Sequence, residues 1–332
     1  MHRHLLRTAG TLAAAVVILA GCGNAGSSGT SAPPSSATGS GCAPAAGDKL
    51  VVLTDDKNLQ NTDNIVPAIN KKSSSEQLVA ALDKVSAALD TPKLIALNKA
   101  VDIDRKSSKA AAEEFATANN LTAGVAKGPG GKITVGAANF SESATLGELY
   151  NIVLTAAGYT VKVQTIGNRE LYEPALEKGD LDVVPEYAAT LATFLSGKVD
   201  GKNAKDPSSS DLTTTMANLT ALGAKVGLVF GTASSAQDQN AFAVTSAFAD
   251  KYGVTTLSEL AAKCSGAATI LGGPAECPQR PKCQAGLVST YNFQAGKFSS
   301  LDPGGPLTKT GLKQGTISVG LVFSSDGALA AG

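Results

Sequence analysis

The chain of 332 residues has no tryptophan, two histidines, two methionines and only 5% aromatic residues. Both histidines, His2 and His4, lie ahead of an apolar run at residues 12–20. If that leader is removed, no imidazole remains. Such a chain cannot run Ser-His-Asp or Cys-His chemistry, and it cannot hold a metal through imidazole. A charge excess is missing too. The 28 basic and 28 acidic side chains cancel, and without Arg3 and Arg7 of the leader the balance is 26 against 28, about −2. Nucleic-acid binding would call for a clustered basic excess, so no nucleic-acid partner is expected. The apolar run is also too short to span a bilayer.

Residues 1–21 have a basic start, the apolar run, and then Leu19-Ala20-Gly21-Cys22. This resembles a bacterial lipoprotein signal, with Cys22 as the lipidated first residue of the mature chain. Residues 22–48 are rich in Gly, Ser, Ala and Pro without an apolar period, which predicts a disordered tether of about 25–30 Å. The expectation is an exported protein, anchored to the outer face of the cell membrane. Export favours disulfides. Cys42, Cys264, Cys277 and Cys283 allow three pairings. Cys277 and Cys283 could close a tight ring and leave Cys42 with Cys264. A zinc site of four thiolates is the alternative, disfavoured by oxidising export and irregular spacing. No metal or cofactor is expected.

Residues 132–190 organise the rest. A β-branched run at 132–136 is followed by a segment with Leu146, Leu149 and Ile152 at helical spacing, stopped at Gly158. Alternation of Val161, Val163 and Thr165 predicts a second strand, 169–178 a second helix, and 181–184 a third strand closed by Pro185. That is a β-α-β-α-β unit, and ligands of such sheets sit beyond the carboxyl ends of the strands. Those ends carry 137–141, 167–170 and 185–190. Strands are also expected at 49–53 and 64–69, helices between 75 and 119, and a flexible Gly-rich connector at 121–131. After a polar crossing at 232–240 a second α/β pattern begins, with strands at 241–245, 268–271 and 317–323. The fold class is α/β, with two lobes joined by extended crossings, each a mainly parallel sheet flanked by helices.

The pieces GAANFSES, LGELY, IGNRELYEPALEKGDLDVVPEY, AFAVT, YGVTTLSEL and GTISVGLVFSSDG resemble the solute-binding proteins of ABC importers for glycine betaine, choline and related osmoprotectants. The resemblance covers nearly all of residues 49–332 and implies a type II periplasmic-binding-protein clamp. The order of pieces differs from the family's. The part like KLVVLTDDKNLQNTDNIVPAIN, which follows FSSDG in the family, stands here at the front. The chain therefore reads as a circular permutant, with 121–131 joining the family's usual ends. One lobe would span 64–238, and the other 49–63 plus 239–332.

The resemblance implies an extracytoplasmic protein that closes on a small quaternary ammonium solute, or a polar relative, and hands it to a permease with its ATPase. No catalysis and no oligomer are expected. Position by position, Tyr187 matches a cage tyrosine and Thr190 the polar residue one turn on. Phe323 stands where tyrosine is common. Arg280 and Glu276 match a pair that grips a carboxylate. Asn240 and Asp63 stand where cage tyrosines often stand, and Ala138 replaces a lysine, so two aromatic side chains are expected in the site. Asp63 and Asp238 could supply negative charge. Asn139 and Arg169 lie at strand ends facing the cleft. Tyr150, Tyr159 and Tyr172 read as packing. Three other readings remain: a surface sensor with the same clamp, an enzyme using Glu186, Glu276 or Asp238 as acid or base, and a structural or immunogenic surface lipoprotein whose cleft binds nothing.

Overall fold

Alternation along the strands gives each of two sheets a packed face on both sides. The computed structural model describes residues 38–329. Along the chain, β1 (Leu50–Val52) comes first, then β2 (Ile65–Asn70), α1 (Glu76–Ala88), α2 (Thr91–Asp102) and α3 (Ser108–Ala118). β3 (Lys132–Ala138), α4 (Ser141–Ala156), β4 (Thr160–Gly167), α5 (Arg169–Lys178) and β5 (Val183–Tyr187) follow. Next are α6 (Ala188–Asp200), a 3-10 turn (Gly201–Asn203), α7 (Leu212–Val226) and β6 (Leu228–Phe230). The last third holds β7 (Asn240–Thr245), α8 (Ser246–Tyr252), α9 (Leu257–Cys264), β8 (Gly266–Gly273), a second 3-10 turn (Cys277–Gln279), α10 (Gln284–Tyr291), β9 (Ala295–Ser300), α11 (Pro306–Lys313) and β10 (Val319–Phe323).

The first sheet has the order β4-β3-β5-β2-β6 and the second β1-β7-β10-β8-β9. Both are mixed. β3 runs parallel to β4 and β5, whereas β2 is antiparallel to β5 and β6. In the second sheet β8 is parallel to β9 and β10, and β7 is antiparallel to β1 and β10. The expectation of mainly parallel sheets thus holds for three neighbouring strands in each. The antiparallel member, β2 or β7, is the strand that the chain enters from a crossing between the sheets.

Residue parity sets the cores. Ile65, Ile69, Val135 and Val183 face α1 to α4, while Val66, Ala68 and Val184 face α5 to α7. In the second sheet Phe242, Val244, Val319 and Leu321 pack in one cluster, and Ala243 and Val322 in another. Pro185 does not close its strand. It stands opposite Pro67 inside the β2–β5 ladder. Other pairs carry the bonds, Ala188 N–H to Asn64 O at 2.9 Å and Asn70 N–H to Asp182 O at 2.8 Å, so the two prolines face each other at a pair that exchanges no N–H bonds within this ladder.

The two crossings run side by side. Ile65 N–H donates to Ala236 O (3.1 Å), Ser234 N–H to Ile65 O (2.8 Å) and Asp238 N–H to Asp63 O (3.0 Å). The connector 121–131 is held rather than loose. Leu121 is buried, Gly128 N–H donates to Ala157 O at 2.9 Å, and Thr160 N–H to Gly131 O at 2.8 Å.

The tether expectation for 22–48 fails at its C-terminal end. Ala267 and Ala268 N–H donate to the carbonyls of Gly39 and Ser40, both at 2.9 Å. Cys42 is buried and bonded to Cys264. One covalent anchor and the start of β8, which β10 does not reach, order a segment whose composition reads as linker. The expected leader, Cys22 and the start of the tether lie outside the described residues. Among the described residues no helix is long and apolar enough to cross a membrane. The second disulfide joins Cys277 and Cys283. With all four thiols bonded, the zinc alternative has no donors.

The Cys42–Cys264 link spans 222 residues, which in the chain-entropy picture is worth on the order of 5 kcal/mol. Cys42→Ser/Cys264→Ser is expected to lower the denaturant midpoint without changing the cleft. An unchanged midpoint in urea titration would show that residues 39–47 add nothing to stability.

Candidate functional site

A cleft of about 110 Å³ opens between the two sheets, where β3, β4 and β5 of the first end and face the loops of the second. Tyr187, Thr190, Asp63, Asp238 and Asn240 line it, and so do Asn139, Arg169, Glu276, Arg280 and Phe323. All ten candidate side chains are therefore brought together, although they come from residues 63 to 323. The aromatic lining is richer than expected. Phe140, Tyr172 and Phe194 join Tyr187 and Phe323. Phe140 stands between the two expected rings, 6.3 Å from Tyr187 and 5.4 Å from Phe323 between centroids. It lies two residues past β3, at the carboxyl end of a strand in a parallel pair and just before α4. The strand end is legible in the sequence through Asn139; the ring beside it at Phe140 is the part that sequence reasoning misses. Tyr150 is fully buried, whereas Tyr172 both packs and lines the cleft.

Local structure explains how each group is held. Asp63, in the first crossing, stands at the N-terminus of α6 and accepts from Ala189 N–H (2.7 Å) and Thr190 N–H (3.3 Å). Asp238, in the second crossing, accepts from Ser325 N–H (3.0 Å). Glu142 lies in the first turn of α4. It accepts from Tyr187 O–H (2.6 Å) and Ser325 O–H (2.7 Å), and also from Asn98. All three carboxyl groups are buried. A second cavity of about 290 Å³ adjoins across the Phe140 and Phe323 rings and includes Glu142 and Asn98.

The cations of the cleft are already engaged. Arg169 holds Glu186 with two hydrogen bonds, 2.9 and 2.6 Å, and donates to Thr190 Oγ1 at 2.9 Å. Glu186 also accepts from Tyr172 O–H at 2.8 Å. Arg280 forks onto Glu170 at 3.1 and 2.8 Å and reaches Glu276 at 3.4 Å. Lys282 pairs with Asp206 at 2.6 Å. By contrast, among the described residues no ion pair includes Asp63, Asp238 or Glu142.

Burial is therefore the largest influence on these three acids, and hydrogen bonds oppose it only in part. It pushes the Asp63 carboxyl from the ordinary 3.8 up to about 6, although Arg169 and the helix N–H groups pull the other way. It raises Asp238 well above the carboxylate range, and the charges of Glu142 and Asp63 add to the shift. Glu142 is raised as well, chiefly by burial, against the hydroxyl and amide groups that donate to it. No group of three His, Cys, Asp or Glu among the described residues is arranged to hold a metal ion. The arrangement offers aromatic faces and buried carboxyl groups that hold their protons until a positive charge arrives, and among the described residues Arg169, Arg280 and Lys282 of the cleft are each paired with an acid.

Residues 44–118 and 131–331 match the family described as the substrate binding domain of ABC-type glycine betaine transport systems. The chain belongs to this family. The family is one of transport substrate-binding proteins, and the two mixed sheets flanked by helices are its type II periplasmic-binding-protein fold. Among solved structures, a glycine betaine/carnitine/choline ABC transporter is 21% identical, with 60% of this chain and 71% of that one covered and a TM-score of 0.38. An oligopeptide ABC transporter substrate-binding domain from Bacillus anthracis str. Ames is 13% identical over 55% of this chain and 48% of that one, at a TM-score of 0.27. Both likenesses are too distant to bear on the site. No curated protein matches the chain.

A carboxyl whose pKa rises on folding makes the folded state bind more protons than the unfolded one, so its contribution to stability falls as pH rises through the window. For Asp63 the window runs from 3.8 to about 6, on the order of 3 kcal/mol. Asp63→Asn is thus expected to gain that much relative to the parent between pH 4 and pH 7, read by urea unfolding. A difference that stays flat with pH would mean that Asp63 has a neutralising partner.

Proposed function

We propose that the cleft binds one small organic cation of the quaternary-ammonium class and delivers it, by closure of the two lobes, to an ABC permease and its ATPase outside the cytoplasm. The observation that carries this reading is the mismatch of charges. Asp63 and Asp238 line the cleft without a basic partner, beside the Phe140, Tyr187 and Phe323 rings. A quaternary ammonium has no N–H to donate, and aromatic faces with nearby carboxylates are what attracts it. A carboxylate on the same ligand would need free donors. Arg169, Arg280 and Lys282 each already hold an acid. A cation without an acid group, such as choline, is favoured over a zwitterion such as glycine betaine.

The same charges speak against catalysis by Glu186, which is locked between Arg169 and Tyr172. Anchoring through Cys22 belongs to this reading as well. So does circular permutation. The two matched segments lie on either side of the connector, and that connector bridges α3 and β3 along the surface of the first lobe. A surface sensor would use the same cleft and differ only in its partner.

Titration calorimetry tests the ligand class. Choline is expected to bind at least tenfold more tightly than glycine betaine, about 1.4 kcal/mol. Glycine betaine binding as well or better would overturn the choice of cation. Phe140→Ala is expected to weaken choline at least tenfold, and so is Tyr187→Ala; an unchanged dissociation constant would remove the ring concerned from the site.

A further inference from the structure

Residues 277–283 form a small ring closed by the Cys277–Cys283 disulfide, with Pro278 and Pro281 inside it. Backbone bonds brace it: Gln279 N–H to Glu276 O (3.1 Å), Arg280 N–H to Cys277 O (3.2 Å) and Cys283 N–H to Arg280 O (3.0 Å). Both cysteines are buried. The Lys282 carbonyl accepts from Gln60 Nε2 at 2.9 Å and Asn240 Nδ2 at 3.0 Å. α10 packs so closely that a Cβ on Gly286 would lie 2.0 Å from Pro281 O. The ring is a stiff part of the second lobe.

Its two cations reach the other lobe. Arg280 forks onto Glu170 of α5. Lys282 donates to Asp206 in the loop before α7, at 2.6 Å. Burial, the largest single influence, pushes Glu170 and Asp206 up, but the hydrogen bonds and charge of Arg280 on Glu170, and those of Lys282 together with the Ser208 bonds on Asp206, sum to more, so both acids lie below the ordinary carboxyl range. Each cation also keeps a partner on its own side. Arg280 has Glu276 at 3.4 Å, and Lys282 Nζ has the carbonyl of Leu59 at 3.0 Å.

We propose that the disulfide ring is the closing latch of the clamp, with Arg280 and Lys282 as positioning residues that hold the lobes together rather than grip the solute. This rests on the reading of the cleft as a closing solute site. Parting the lobes breaks two ion pairs and strands neither cation, because Glu276 and the Leu59 carbonyl remain. Closure is thereby reversible. The ring keeps both cations aimed while the clamp is open, so less side-chain and loop freedom is lost when they dock. Glu170 and Arg280 are partly exposed, at 38% and 28%, so the latch weakens in salt.

Two readouts test it, one independent of any solute. By small-angle scattering without added solute, Glu170→Gln/Asp206→Asn is expected to raise the radius of gyration. In stopped flow with choline it speeds dissociation at least tenfold and changes association less than twofold. One molar sodium chloride moves the parent in the same direction and leaves the variant unmoved. Cys277→Ser/Cys283→Ser shifts both readouts likewise, and adds nothing in the Glu170→Gln/Asp206→Asn background. An unchanged radius and dissociation rate in Glu170→Gln/Asp206→Asn overturns the latch, even if the serine variant does not fold. Fully additive effects would make the ring mere scaffold and overturn its part. A radius that responds while choline fails to bind sustains the latch and removes the choice of solute.

Discussion

The burial of Asp63, Asp238 and Glu142 without a basic partner is the constraint on which the rest depends. An ion taken out of water costs several kcal/mol unless it is paired. Here hydrogen bonds from helix N–H groups and hydroxyls offset part of that cost, and protonation offsets more. A protein selected for stability alone would replace three such acids. Keeping them where the crossings meet the cleft makes sense if a cation arrives there.

The location matters as much as the charge. Asp63 and Asp238 belong to the paired crossings, and Ser325, past the end of β10, bonds both Asp238 and Glu142. The acids are therefore tied to the crossing segments between the two sheets. In the proposed reading, a cation that settles among them acts on the crossings and the cleft together. The ring at 277–283 acts from the opposite rim through ion pairs of its own. In the proposed reading one rim attracts the solute and the other holds the closed arrangement.

Much of this was legible along the chain. The β-α-β-α-β unit followed from alternation, helical spacing and glycine stops, and all ten candidate side chains do meet in one cleft. What was missed is what long-range contact decides. β9 has the burial pattern of a weakly covered strand and exists because β8 offers it an edge. Pro185 looked like a strand end because its opposite number, Pro67, is far away in the chain. Arg280 looked free for a carboxylate because Glu170, its fork partner, is 110 residues distant. Residues 39–42 have a linker's composition and are ordered by a bond to Cys264.

Proton exchange on binding reaches the central claim most directly. If the solute is a cation seated beside buried acids of raised pKa, its arrival must drive protons off them. Calorimetry of choline binding at pH 6, in two buffers of different ionisation enthalpy, counts those protons. Net release is expected, lost in part in Asp63→Asn. Binding with no exchange, or with uptake, would contradict the view that uncompensated carboxylates draw the solute in.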